Sequence, residues 1–167
     1  GVVCSPLEAG RVHETCGAGF LTVTPGVRFA GGDHGDLTDD YAAIRKEMEA
    51  VAAHFGKHVL REVEPETVES RIGEVRRACG DRAVLRALHY YDENARVLEQ
   101  AAAIRGGDLP AFFDAVNRSG ESSWKLLQNV YARPTEEQMA MGIELSRRFL
   151  HGDGAQRVHG GGFAGTI

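Results

Sequence analysis

Residues 81–107, DRAVLRALHYYDENARVLEQAAAIRGG, are the stretch that decides the fold. Asp81 is a favourable residue at the start of a helix, and the pair Gly106 and Gly107 is typical of a helix end. Between these ends, apolar residues recur at the three- and four-residue spacing of a helix that is buried on one side. They are Val84, Leu85, Leu88, Tyr91, Ala95, Leu98 and Ala102. The pattern predicts a long helix against which shorter ones pack.

Four shorter helices are predicted around it, over residues 38–56, 65–80, 108–127 and 135–152. Each range has an apolar periodicity of its own and recognisable end residues. The end signals are Thr38 and Asp108 as N-caps, Pro65 in a first turn, Thr135 with Gln138 as a capping box, and Gly56, Gly80 and Gly152 as stops. Most of the chain is therefore expected to be helical.

Strands are predicted near the two ends and at one internal site. Residues 20–24 alternate in the manner of a strand, and Val59 and Leu60 form a short apolar pair. Residues 155–160 read as another strand, and residues 163–167 as the beginning of one more. We therefore predict an α+β, helix-rich fold without internal repeats. Because the last strand begins where the chain ends, we also expect a truncated sequence.

Composition narrows the function classes. The 167 residues have a formal net charge of −5, which argues against binding to nucleic acid or to an anionic membrane surface. No apolar run approaches the length of a membrane span. The three cysteines are scattered and unpaired, so neither a disulfide framework nor a metal site is predicted.

The glycine-rich segment 160–165, GGGFAG, satisfies the letter of the dinucleotide-binding pattern G-x-G-x-x-G. It lacks the helix that should follow, and it also lacks the lysine of a phosphate-binding Walker loop. Two interpretations stay open. One is a tight bend between apolar segments, and the other is a loop whose main-chain N–H groups approach an anion.

Four strings in one order resemble the C-terminal portion of galactokinases, in the GHMP kinase superfamily. They are GGDHGDLTDDYAAIRKEM at 31–48, RALHYYDENARVLEQ at 86–100, GDLPAFFDAVNRSGESS at 107–123 and RVHGGGFAGTI at 157–167. The last resembles the third GHMP motif, in which a triple glycine precedes Phe-Gly; Ala164 stands here in place of that glycine. Residues 1–30 do not resemble the family.

The resemblance implies a GHMP kinase C-terminal domain over residues 31–167, with a ferredoxin-like core and added helices. It implies ATP-dependent phosphorylation of galactose at its C1 hydroxyl, assisted by Mg²⁺, in a cytoplasmic enzyme. It also implies a partner N-terminal GHMP domain that this sequence lacks, so that the chain is expected to be truncated at both ends. We expect no nucleic-acid or membrane partner.

The resemblance assigns roles to residues at two places. Tyr41 matches a tyrosine that contacts galactose, although its place on the apolar face of its helix equally fits a core residue. Gly160, Gly161 and Gly162 match the triple glycine beside the substrate and phosphate site. We expect no metal ligand in the chain.

The sugar-binding Glu-His-Thr-Asp run, the Ser-rich phosphate loop and the Met-Asp-Gln segment with the catalytic aspartate are absent from the sequence. We therefore expect no catalytic residue in this chain and no kinase activity from it alone. Two alternatives stay open. One is a kinase for another sugar or a mevalonate-type substrate, and the other is a non-catalytic GHMP module that senses sugar or binds a partner.

Overall fold

A computed structural model describes residues 37–163 and residue 167. Within this part of the chain six α-helices follow one another. They are α1 (Thr38–His54), α2 (Pro65–Ser70), α3 (Ile72–Cys79), α4 (Asp81–Gly106), α5 (Leu109–Ser122) and α6 (Gln138–Leu150). A 3₁₀ turn spans Leu60–Glu62, and a π-helical turn, Ser123–Leu127, continues α5.

The predicted helix ends are confirmed where they rest on glycine and on Asp108. Gly56, Gly80 and Gly107 follow α1, α3 and α4 with φ angles of +69°, +92° and +70°, which L side chains rarely adopt. The carboxylate of Asp108 accepts a hydrogen bond from the N–H of Ala111 at 2.9 Å, which caps α5. These helix-end preferences act within one turn of the chain and need no tertiary partner, so the sequence alone is enough to predict them.

Other helix boundaries differ from the prediction. The expected helix 65–80 is interrupted at Arg71 (φ −113°, ψ 20°), whose guanidinium binds Glu74 and lies 5.0 Å from the ring centre of Phe55. No side-chain hydrogen bond caps α6, so the capping box of Thr135 was wrong. Helix α1 has Leu37, and not Thr38, in the N-cap position.

The predicted strand at Val59 and Leu60 was wrong. Residues Leu60–Glu62 form a 3₁₀ turn instead, because the hydroxyl of Tyr91 on α4 donates to the carbonyl oxygens of Leu60 at 3.2 Å and Val63 at 3.0 Å. Burial raises the pKa of Tyr91 to about 12. The long helix thereby fixes the connection between α1 and α2.

The described residues form no β-sheet, and segment 155–160 holds only a single bridge residue, at His159. The N–H of Gln156 in this segment donates to the side-chain oxygen of Asn117 on α5 at 3.0 Å. The strand predicted at 20–24 lies outside the described residues, as does most of 163–167. The helix-rich part of the prediction is confirmed, whereas no ferredoxin-like sheet is present among the described residues.

The main core lies where α1, α3, the 3₁₀ turn and α4 meet. Its buried members are Val51, Ala52, Leu60, Val63, Val68, Val75, Ala83, Val84 and Ala87. A second cluster holds α6 against the segments on either side of it. Its buried members are Val130, Met139, Ala140, Ile143 and Val158. The glycine-rich segment follows directly after Val158, so this second cluster fixes its base.

Helix α4 is buried differently from the prediction. Leu98, expected on the inner face, is 70% exposed, and Ala95 and Ala102 are exposed as well. Arg86 and His89 are buried instead. Helices α1 and α5 both pack on α4 and bury the polar residues of α4 that face them. These buried residues, Arg86 and His89, have polar partners on α1 and α5.

No helix within residues 37–163 combines the length and the apolar character that a membrane crossing would require.

We expect Gly120→Ala to destabilise the protein by about 1–3 kcal/mol through overpacking. A Cβ at Gly120 would lie 2.9 Å from the carbonyl oxygen of Gln156 and 3.0 Å from Cβ of Arg157. Urea unfolding measures the loss. The matched control is Gly106→Ala on α4, where a Cβ meets nothing within 4 Å and a neutral or slightly stabilising effect is expected. Equal stability of the two variants would contradict the close approach of segment 154–158 to α5.

We expect acid to weaken the fold through His89. Burial lowers the pKa of His89 below its ordinary 6.5, so the folded state keeps the ring neutral while the unfolded chain takes up a proton. The contribution of neutral His89 to the unfolding free energy is therefore fully present above pH 6.5. It is lost as the pH falls below that value, by up to about 1.4 kcal/mol per pH unit. Unfolding free energies at a series of pH values measure this slope.

The variant His89→Asn keeps a polar group near the Ser122 hydroxyl, which lies 2.8 Å from Nδ1 of His89, and removes the titrating ring. We expect its stability to fall less steeply below pH 6.5. The exposed His151→Asn is the control, and the same slope in all three proteins would show that His89 is not responsible.

Candidate functional site

Residues 160–163, which we call the glycine loop, follow an unusual backbone path. Gly160, Gly162 and Phe163 have φ angles of +67°, +83° and +56°. Glycine adopts these left-handed backbone angles readily, whereas a residue with an L side chain, such as Phe163, adopts them at a cost of about 1 kcal/mol or more. The loop therefore needs contacts from the rest of the fold to keep its shape.

Tyr41, on the first turn of α1, supplies the first of these contacts. Its hydroxyl donates to the carbonyl oxygen of Gly162 at 2.9 Å, across 121 residues of sequence. Its ring meets the ring of Phe163 edge to face at 5.1 Å. A Cβ at Gly161 would lie 2.7 Å from the Tyr41 ring, so the loop can approach this ring only as glycine.

Asn129 supplies the second contact, which the sequence analysis did not predict. Its carbonyl oxygen accepts from the N–H of Phe163 at 2.6 Å, and its side-chain amide donates to the carbonyl oxygen of Gly161 at 3.2 Å. A Cβ at Gly162 would fall 2.0 Å from the Asn129 carbonyl oxygen, which leaves no room for any other residue there. Asn129 is 3% exposed, and within the described residues its Oδ1 has no hydrogen-bond partner.

Asn129 is aimed at the loop by the end of the π-helical turn. Gln128 ends this turn with a φ angle of +58°, and its N–H donates to the carbonyl oxygen of Ser123 at 2.8 Å. Extra-wide turns of this kind occur often at functional sites. No apolar period or motif covers Gln128 and Asn129, so pattern reasoning had nothing to detect there.

The site thus joins residues from three parts of the chain. Leu37, at 4% exposure, and Phe163, at 7%, form a small apolar cluster with the partly buried Tyr41, Ile44 and Ala132. Tyr41 is therefore both a core residue and a residue of the site, and the two interpretations of its sequence position do not exclude each other.

The arrangement can present main chain to a ligand. Gly160 and Gly161 are exposed and lack side chains, and the phenol oxygen of Tyr41 lies at the neighbouring Gly162. Main-chain N–H groups in such loops can approach an anion closely. Among residues 37–163 and 167, no three His, Cys, Asp or Glu side chains converge in a way that could hold a metal ion. Ala164 lies outside the described residues.

We expect Tyr41→Phe to loosen the glycine loop and to lower the unfolding free energy by about 0.5–1.5 kcal/mol, since it removes one hydrogen bond and keeps the ring. Hydrogen exchange at the amides of Gly162 and Phe163, with urea unfolding, measures both effects. Tyr90→Phe on α4 is the control. If both variants leave these two amides equally protected, the bond from Tyr41 does not hold the loop.

Comparison with known proteins found no matching family model. Among curated proteins, the galactokinase of Mannheimia succiniciproducens is 30% identical over 134 residues. The galactokinases of Glaesserella parasuis serovar 5 and Haemophilus influenzae are each 31% identical over 134 residues. Each match covers 80% of this chain and 33% of the relative, so the chain spans about a third of the length of its relatives. The resemblance seen in the sequence is confirmed: over four fifths of its length the chain is similar to galactokinases, as a partial, C-terminal-like portion of them.

Proposed function

We propose that this chain is part of an ATP-dependent galactokinase that transfers the γ-phosphoryl group of ATP to the C1 hydroxyl of galactose. The observation that carries the proposal is the contact between Tyr41 and the glycine loop. These are the two places at which the sequence resembles the family's sugar and phosphate sites, and the phenol oxygen of Tyr41 lies 2.9 Å from the carbonyl oxygen of Gly162. The named galactokinases at about 30% identity support the same family of reactions.

In this proposal Tyr41 lies between the sugar and the loop. A sugar hydroxyl that donates to the phenol oxygen would lie near Gly162, one residue from the exposed Gly161. A site that hydrogen-bonds particular hydroxyls of its substrate discriminates strongly against analogues that lack them. Tyr41 therefore serves as a contact that favours galactose over a substrate without such hydroxyls.

The glycine loop fits a phosphate group, because Gly160 and Gly161 leave the main chain uncovered and the contact at Gly161 excludes a side chain. ATP with Mg²⁺ would supply the phosphoryl group and the charge that neutralises it. The loop's role is to hold a phosphate in place, since phosphoryl transfer depends mainly on positioning and on stabilisation of charge.

We further propose that residues 1–167 alone do not phosphorylate galactose. The Ser-rich phosphate loop and the segment with the catalytic aspartate do not occur in this sequence. A protein of about the relatives' length, containing an N-terminal GHMP domain and the sheet of a ferredoxin-like core, would complete the enzyme in the cytoplasm.

The proposal predicts galactose 1-phosphate formation by the full-length protein and none by residues 1–167 alone, measured with ATP, Mg²⁺ and galactose. It also predicts that Tyr41→Phe raises KM for galactose about tenfold, the factor for one hydrogen bond of about 1.4 kcal/mol, and that it lowers kcat as well, because the same bond holds the glycine loop. Tyr90→Phe is the control. Phosphorylation of mevalonate in preference to galactose would refute the choice of substrate.

Two other outcomes decide between the remaining alternatives. Activity of residues 1–167 alone would refute the need for further protein. Saturable binding of galactose in a calorimetric titration, with no phosphoryl transfer by the full-length protein, would establish instead a non-catalytic module that senses sugar or binds a partner.

A further inference from the structure

A polar cluster between α4 and α5 reaches the base of the glycine loop through Arg157. The guanidinium of Arg157 donates to the hydroxyl of Ser119 on α5, and it lies 3.4 Å from the carboxylate of Glu93 on α4. Ser119 is completely buried, and its hydroxyl donates to the same carboxylate oxygen. The glycine loop is thereby linked to the two helices that form the centre of the fold.

The same guanidinium also fixes the direction of its own backbone. Nε of Arg157 donates to the carbonyl oxygen of Val158 at 3.0 Å. Val158 is 1% exposed and belongs to the second core cluster. Only His159 separates this peptide from Gly160, so a rotation at Val158 moves the whole loop.

A second set of contacts binds the backbone just before Arg157, at residues 154–156, to α5. The side-chain oxygen of Asn117 accepts from the N–H of Gln156 at 3.0 Å, and its amide group donates to the carbonyl oxygen of Gly154 at 3.3 Å. The absence of a side chain at Gly120 allows Arg157 to lie against the helix. The backbone that carries Arg157 is therefore held in place, and the side chain extends from it along α5 to Glu93.

Removal of the Arg157 side chain should cost the fold little stability, because its partner Glu93 has other charged and polar partners. The second carboxylate oxygen of Glu93 accepts from the guanidinium of Arg96 at 2.8 Å. If Arg157 is removed, Glu93 keeps Arg96 and the hydroxyl of Ser119, so no buried charge is left without a partner. The side chain of Arg157 is 34% exposed, which also limits its share in stability.

We propose that Arg157 is a positioning residue for the glycine loop: by joining Ser119 and Glu93 to the carbonyl of Val158, it sets where Gly160 and Gly161 lie. Tyr41 and Asn129 hold the far end of the loop, and Arg157 holds the near end. The catalytic consequence rests on the proposed function, in which the loop holds a phosphate. The structural consequence, a loop ordered by Arg157, does not depend on it.

The test is Arg157→Met in the full-length protein, with Arg157→Lys as the conservative variant. We expect amide exchange within residues 158–163, measured at Phe163, whose N–H donates to the carbonyl oxygen of Asn129, to quicken about tenfold or more, the factor for one charged hydrogen bond, while amides of α4 and α5 exchange as before. We expect kcat to fall about ten- to hundredfold with little change in KM for galactose, because a displaced loop misplaces the phosphate. Arg157→Lys should recover part of both effects.

The matched control is Arg118→Met. Arg118 also bridges α5 and α4, through Glu99, and within the described part of the chain its hydrogen bonds and ion pairs go to Glu99 and Asp114 and not to the glycine loop or segment 154–158. If Arg157→Met folds poorly, Ser119→Ala removes one of the two anchors of the guanidinium without removing a charge, and a smaller change in the same direction is expected, since the contact with Glu93 stays. Unchanged exchange at 158–163, or exchange that quickens equally in α4 and α5, would overturn the proposal. Failure of the proposed function is distinct, because the unsubstituted protein would then form no galactose 1-phosphate while the exchange result would stand.

Discussion

The buried guanidinium of Arg86 is the group on which the arrangement of the helices depends. Arg86 is 2% exposed, and its Nη1 lies 2.8 Å from the carboxylate of Glu47 on α1. Its Nε donates to the carbonyl oxygen of Leu127 at 3.0 Å, at the end of the π-helical turn. Burial lowers the pKa of Arg86, and the nearby carboxylate of Glu47 opposes that shift. Separation of this buried charge from its carboxylate and carbonyl partners would be strongly destabilising, which disfavours arrangements of α1, α4 and the π-helical turn that pull these groups apart.

This constraint extends to the candidate site. Leu127 is followed at once by Gln128, whose positive φ angle turns the chain, and then by Asn129, whose main chain and side chain bind the glycine loop. On the other side, Glu47 belongs to the helix that presents Tyr41. Arg86 therefore fixes both elements from which the far end of the loop is held, although it does not touch the loop itself.

The sequence was sufficient for the features that are local. Gly56, Gly80 and Gly107 ended helices where expected, and Asp108 capped α5 as expected, because these preferences act within one turn of the chain. The apolar period of α4 was less informative. It identified the helix but misjudged its faces, since an apolar pattern cannot register that Arg86 and His89 find polar partners in the interior.

The strands predicted from short apolar runs failed for a related reason. Val59 and Leu60 have the residue types of a strand, yet two hydrogen bonds from the hydroxyl of Tyr91, about thirty residues away in sequence, favour a 3₁₀ turn. At the start of segment 155–160, the N–H of Gln156 and the carbonyl oxygen of the preceding Gly154 likewise bind the side chain of Asn117 on α5. Partners this distant in sequence leave no trace in the local pattern.

At the site, the sequence named Tyr41 and the three glycines separately, and the fold brings them into contact. Their roles toward sugar and phosphate stay predictions. It missed Asn129, because a single asparagine after an apolar run has no motif, and it missed Arg157, because a charged residue before a glycine run resembles a solvated one.

The missed residues are also the ones that explain why the glycine loop can hold its shape. Gly160, Gly162 and Phe163 all have left-handed backbone angles. A conformation of this cost persists only when several independent contacts hold it in place. Tyr41 binds the carbonyl of Gly162, Asn129 binds both neighbours of that residue, and Arg157 fixes the peptide at Val158. A bend that served only to reverse the chain would not need anchors from α1, α4, α5 and the π-helical turn. These contacts show a loop held in one shape by the rest of the fold; that it presents its main chain to an anion, the second of the two interpretations that the glycine run left open, stays our proposal.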